Sequence, residues 1–223
     1  HIVTAFLYSG LPSRHYFLTA VLPAKFLASA FATGPALIIL ICFLLKKLTG
    51  FDAGEKAIKM LSTTAIYAYI ATMIMMAGEF FTAYYSGVPA HQVALTYLFA
   101  GYHGHDEFVP LMMFFVVCVV VTLVLLLPTK FRYNKPTMIV GCIALFLSMY
   151  IEKGLTFVIG GLSENPFGEI VDYIPGKIEI MVIIGIFAIG LLILSLLLKM
   201  VTVVKYDNDE GAFPDKPDRT RLA

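Results

Sequence analysis

Long apolar runs, separated by short polar segments that carry most of the charge, set the pattern of this chain. Five runs are long enough to cross a bilayer, at residues 17–45, 57–85, 108–127, 136–160 and 178–204. At 1.5 Å per residue, a helix of about 20 residues matches a hydrocarbon core of roughly 30 Å. The pattern predicts an all-α protein, a polytopic transmembrane helical bundle over residues 1–205, with a polar tail over 206–223. Gly34-Pro35 predicts a kink in the first run. Pro136 suits the first turn of the fourth, where its missing N–H costs nothing. Residues 88–107 are too polar to span and suit an interfacial helix or a folded loop. Residues 1–16 read as the end of an earlier helix followed by an interfacial loop. Residues 162–177 form an acidic loop.

Composition agrees with a membrane protein. Of the 223 residues, 59% are hydrophobic and 14% charged, and mean hydropathy is +0.86. A soluble domain carries about 25% charged residues. Net charge is +1, so bulk electrostatics names no partner; the apolar runs point to membrane lipid, and no nucleic-acid partner is expected. Cys42, Cys118 and Cys142 all fall inside apolar runs and read as small buried residues, not disulfides or metal ligands. There is no Trp, so Tyr and Phe must form the interfacial belt. The chain opens on His1 without a signal-peptide pattern, and is read as the C-terminal part of a longer polypeptide.

Basic residues give the orientation. Twelve of the sixteen Lys and Arg lie at 46–59, at 130–135 and from 199 onward. Those segments and the C-terminus are therefore expected in the cytoplasm, and the 88–107 segment and acidic loop on the outer side.

Four charges then fall inside the spans: Lys25, Glu79, Glu152 and Lys153. On this topology each lies roughly 10–13 Å below the outer surface. A charge near the bilayer centre costs about 2.5–3.5 kcal/mol on insertion scales. Ion pairing between helices, or snorkelling by the two lysines, would lower that cost. The same layer of titratable groups also suits a proton relay or the polar wall of a ligand cavity.

Other signals are weaker. His103 to Glu107, HGHDE, offers imidazoles and carboxylates but reads as a solvated face, and no metal site is expected. All five histidines sit in or near outer segments, so no haem is expected, and no Cys set for an iron–sulfur cluster is present. FFTAYYSG at 80–87 and the aromatics from Tyr97 to Tyr102 fit interfacial anchoring or contact with a flat apolar ligand.

Several stretches resemble the polysulfide reductase membrane-subunit family, NrfD/PsrC. In SRHYFLTAVLPAKFLASAFATGPALIILI, the residues Pro23, Phe26, Ser29, Ala30, Gly34 and Ala36 fit its W-x-x-x-x-x-P-x-x-F-x-x-S-A-x-x-S-G-x-A helix, with Tyr16 or Phe17 near the aromatic position. Glu79 with Tyr84 or Tyr85 is similar to its E-x-x-x-x-x-Y helix. RYN at 132–134 and YIEKG at 150–154 resemble R-x-N and W-x-E-R-Y, with Lys153 where Arg is usual. Tyr173, Pro175 and Glu179 resemble a Y-x-P-S-x-x-E helix start. HIVTAF is similar to the H-x-V-V-S stretch of the ten-helix branch (HybB-like, DsrP-like and alternative complex III subunits), although Leu7 stands where some members carry an acid.

The resemblance implies a quinone-interacting subunit of a respiratory complex in a prokaryotic cytoplasmic membrane. It would exchange electrons between menaquinone and iron–sulfur or cytochrome partner subunits, carrying no haem or cluster of its own. On that reading His1, Arg14 and His15 are candidates for contact with the quinone headgroup. Glu79 and Glu152 are candidates for proton handling, with Lys25 and Lys153 tuning them. Two alternatives remain open from the sequence. One is a proton or ion translocator without quinone chemistry. The other is a passive membrane anchor for soluble redox subunits.

Overall fold

The computed structural model describes residues 1–208 except 12–13, 51, 103, 105, 164–169 and 171–175, and omits the side chains of 49, 90 and 201–208. The C-terminal part of the polar tail, both HGHDE histidines, Tyr173 and Pro175 thus lie outside the described residues. The fold is all-α.

Its helices are α1 (Ile2–Ser9), α2 (Leu22–Thr49), α3 (Glu55–Tyr85), α4 (Pro89–Ala100), α5 (Val109–Leu126), α6 (Thr129–Arg132), α7 (Lys135–Tyr150), α8 (Phe157–Ser163) and α9 (Lys177–Asn208). A 3-10 turn, His15–Phe17, precedes α2, and a π-helical turn, Ile151–Thr156, joins α7 to α8. Five stretches are long and apolar enough to cross a membrane: Leu22–Leu48, Glu55–Tyr85, Val109–Leu126, Lys135–Ser163 and Lys177–Met200. The first begins at Leu22 because residues 15–17 belong to the separate turn.

Proline and glycine set several boundaries. Pro89, Pro110 and Pro136 stand in the first turns of α4, α5 and α7, where a fixed φ helps and the N–H is not needed. Gly87 and Gly101 bracket α4 with φ of 65° and 78°, values that a side chain resists. Pro35 lies inside α2, which continues through it without a break. Helices in lipid tolerate such a residue when hydroxyls and neighbours satisfy the freed backbone groups. The carbonyl that Pro35 frees is Phe31 O, and Thr33 Oγ1 donates earlier in the helix, to Ser29 O at 2.9 Å.

The chain divides into two compact units, His1–Leu44 with Asp52–Tyr173, and Leu45–Phe51 with Ile174–Ala223. In the first, the main core joins four helices. Ala32, Ala36 and Ile39 of α2 meet Ala65, Ile66 and Tyr69 of α3, Leu126 of α5, and Met138, Cys142, Leu145 and Met149 of α7. Small residues allow the close approach: a Cβ on Gly141 would stand 2.7 Å from Leu126 Cδ2. Without water to drive association, helices in lipid rely on such close packing. A second cluster holds Ala5, Phe17, Leu22, Phe26 and Phe157. A third holds Tyr97, Leu98, Met112, Phe115 and Ile151. Between these two aromatic clusters lies the polar site. In the second unit α9 opens on a local cap, Gly176 N donating to Glu179 Oε2 at 2.6 Å, with Glu179 in the first turn where the helix dipole favours a negative charge.

Candidate functional site

The four intramembrane charges meet in one row. Lys25 enters from the first turn of α2, its N donating to Val21 O at 2.9 Å. Its ammonium bridges two carboxylates. One is Glu79, near the end of α3, in direct ion-pair contact. The other is Glu152 in the π-helical turn, with Lys25 Nζ 3.0 Å from Oε1. Lys153 Nζ stands 3.2 Å from that same Oε1. The order is thus Glu79, Lys25, Glu152, Lys153, with alternating sign and no net charge. Lys25 and Glu152 are the most enclosed, with side chains 7% and 6% exposed. Isolated charges at such burial would each carry a large desolvation penalty, which alternation offsets.

The π-helical turn explains how Glu152 and Lys153, adjacent in sequence, share one row. Its wider winding opens the backbone ladder, a feature that occurs often at functional sites. Thr156 closes the ladder again, its Oγ1 donating to Ile151 O and to Glu152 O, each at 2.9 Å. Lys153 Nζ also lies 4.6 Å from the centroid of the Phe26 ring, a distance at which the ring face attracts a cation.

A cavity of about 390 Å³ opens beside the row. Lys25, Glu79 and Glu152 form part of its wall, with His15, Tyr16 and His91 adding polar edges and Phe99, Phe115 and Phe157 apolar faces. Its size falls in the range of ligand cavities, about 300–1,000 Å³, and a few polar groups on an apolar wall are their usual composition. His15 and His91 meet edge to face with ring centroids 5.9 Å apart. Burial pushes the Tyr16 phenol above the ordinary tyrosine range, while the Lys25 charge works against that rise. Tyr16 therefore presents a neutral hydroxyl.

A smaller cavity of about 290 Å³ lies where α2, α7 and the π-helical turn meet. His1, Ser29, Thr33, Tyr150 and Lys153 line it together with Phe26. The three proposed headgroup residues are thus not one set. His15 lines the first cavity and His1 the second, while Arg14 Nη1 donates to Leu162 O at 2.7 Å. Tyr16, near the aromatic position of the helix motif, joins the site, and so does His91, which had no sequence signal beyond its place in an outer segment. Below the row, Tyr69 OH and Ser148 Oγ lie 2.9 Å apart, both fully buried. Among the described residues, no three His, Cys, Asp or Glu side chains gather as a metal cage.

The sequence over residues 1–162 matches the family model described as Polysulphide reductase, NrfD. The chain belongs to the NrfD family. No curated protein matches it. Family membership and the apolar helices make it a multi-pass membrane protein. The NrfD family is one of membrane subunits of quinone-linked redox complexes, which partner with iron–sulfur subunits. The match includes the whole charge row and every residue named above around the first cavity.

Proposed function

We propose that this NrfD-family chain exchanges electrons between menaquinone and an iron–sulfur or cytochrome partner subunit, in a prokaryotic cytoplasmic membrane with its C-terminus on the cytoplasmic side. The observation that carries the reading is the cavity of about 390 Å³ with apolar faces and two carboxylates joined by one lysine in its wall. The residues fit a quinone: Phe99, Phe115 and Phe157 offer faces to a flat ring, and His15, Tyr16 and Glu79 offer edges to its oxygens.

A bound quinol supplies two protons and two electrons on oxidation. His15 and Tyr16 hold and orient the headgroup oxygens. Glu79 takes a proton at a carboxylate oxygen, and Lys25 steadies the negative charge of Glu79 and Glu152 between transfers. The apolar walls exclude water from the reacting edge, which strengthens these interactions.

The test is quinone content and quinol oxidation in the purified complex, comparing native protein with Glu79→Gln and Glu152→Gln. Bound quinone, with turnover lost in either variant while assembly persists, is the expected result. Unchanged turnover in both would reduce the charges to structural pairs. Absence of both quinone and quinol activity in a complex retaining its partners would favour a passive anchor.

A further inference from the structure

We infer that Arg132, with Lys59 and Tyr133 beside it, forms a binding site for the headgroup phosphate of an acidic phospholipid. Arg132 lies in the link 127–134, between the spans Val109–Leu126 and Lys135–Ser163. A link between two spanning helices meets the membrane surface, at the level of the lipid headgroups.

Arg132 departs from the way this chain buries its other charges. Lys25, Glu79, Glu152 and Lys153 compensate one another. Arg132 is only 6% exposed, and among the described residues no carboxylate pairs with it. Its Nε is enclosed without a hydrogen-bond partner. Its one side-chain hydrogen bond runs from Nη2 to Tyr133 OH at 3.2 Å. Nη1 has no partner either and is not enclosed, so the guanidinium presents this edge to the surface. A buried cation left uncompensated is costly. An anion reaching the open edge from outside offsets that cost, and a guanidinium edge matches two oxygens of a phosphate.

Two further features gather positive charge at the same place. Lys59 Nζ and the Arg132 guanidinium both stand over the Tyr133 ring, at 5.7 and 5.0 Å from its centroid. Lys59 has an acidic neighbour in Glu55 at 3.3 Å, but both side chains are exposed, and exposed pairs hold weakly. The second feature is the start of α7, at Lys135, which receives no side-chain cap from Asn134. The positive end of its dipole is thus open towards the link. Thr137 Oγ1 donates to Phe131 O and to Asn134 O, which ties the link to that first turn.

The surroundings suit an amphiphile better than a free anion. Leu127, Phe131 and Tyr133 are all exposed, so apolar surface for acyl chains adjoins the cation. Basic sites between spanning helices are a known setting for acidic headgroups.

Native mass spectrometry of the delipidated complex in detergent tests this, by titration with phosphatidylglycerol and, separately, with phosphatidylcholine. Each basic residue near an acidic headgroup contributes about fivefold in affinity. Phosphatidylglycerol should therefore bind more tightly than phosphatidylcholine by roughly 25-fold when Arg132 and Lys59 both engage it. Arg132→Gln removes an uncompensated cation, so assembly should persist while most of the preference is lost. Lys59→Gln, at an exposed position, should lower phosphatidylglycerol affinity about fivefold and keeps the test open if Arg132→Gln does not assemble. Lys56→Gln removes the same charge from α3 without touching the Tyr133 ring and should bind as native does. Equal affinity for the two lipids would overturn the proposal. So would a loss in Lys56→Gln as large as that in Lys59→Gln, which would mean general attraction to the basic surface. Displacement of bound phosphatidylglycerol by an excess of inorganic phosphate would make the site one for a free anion and overturn the lipid assignment.

Discussion

Phe17 packs against Gly161 so closely that a Cβ at that glycine would overlap the Phe17 ring. The contact joins α8 to the 3-10 turn that carries His15 and Tyr16 into the larger cavity. Phe17 has no free space to retreat into. It is fully buried, with the Phe157 centroid at 4.7 Å and the Tyr8 centroid at 5.0 Å.

Gly161→Ala should therefore destabilise the protein by about 1–3 kcal/mol, the usual cost of overpacking a core. Gly154→Ala is the control. Its Cβ would meet only the Tyr150 ring, no closer than 3.4 Å, and alanine favours a helix over glycine by up to about 1 kcal/mol. Thermal unfolding of the detergent-solubilised chain should show a lowered midpoint for Gly161→Ala and little change for Gly154→Ala.

Removing the central cation should cost more than removing an end of the row. Lys25→Met leaves Glu79 without its ammonium and Glu152 with Lys153 alone. Breaking a buried pair from one side typically costs about 3–5 kcal/mol, because a charge is left uncompensated. Adding Glu79→Gln to Lys25→Met restores neutrality in the row. The double variant should be more stable than Lys25→Met alone, a sign of coupling that independent sites would not show. Thermal unfolding of the four proteins of this cycle measures it.

The five apolar runs were legible in the sequence because length and hydropathy alone decide whether a helix can cross lipid. That Lys25, Glu79, Glu152 and Lys153 could meet was legible for a related reason: rise per residue converts sequence spacing into an expected common depth. Their order was not. That Lys25 holds both carboxylates depends on the rotation of α2 about its axis and on a π-helical turn, and neither leaves a mark in composition. Nor did the sequence show that His1 and His15 line different cavities. His91 and Ser148 carry no charge that must be explained in lipid, so nothing singled them out before packing did, and Tyr16 was marked only as an aromatic position of a helix motif.

Tyr69 illustrates what the sequence hid. Ser148 Oγ donates to Leu145 O at 2.8 Å, so towards Tyr69 it is left to accept, and the phenol is the donor at 2.9 Å. Ser148→Ala strands that fully buried phenol and should cost about 1–3 kcal/mol. Adding Tyr69→Phe removes the stranded hydroxyl, so the double variant should be no less stable than Ser148→Ala alone. Urea or thermal unfolding of the two singles and the double decides it.

Alkaline pH should expose the burial of Tyr16. Its phenol holds its proton more tightly in the folded chain than an ordinary tyrosine with a pKa of 10.0, chiefly because burial penalises the phenolate. The folded state then binds more protons than the unfolded state above that value, so stability falls as pH rises through it. Below it both states keep the proton and the contribution is intact. Tyr16→Phe removes the group and should flatten this part of the profile. Thermal midpoints measured between about pH 8 and 11 should drop less for Tyr16→Phe than for native protein. Parallel curves would mean that the phenol ionises as readily in the folded chain as in the unfolded one, and that water reaches the wall of the larger cavity.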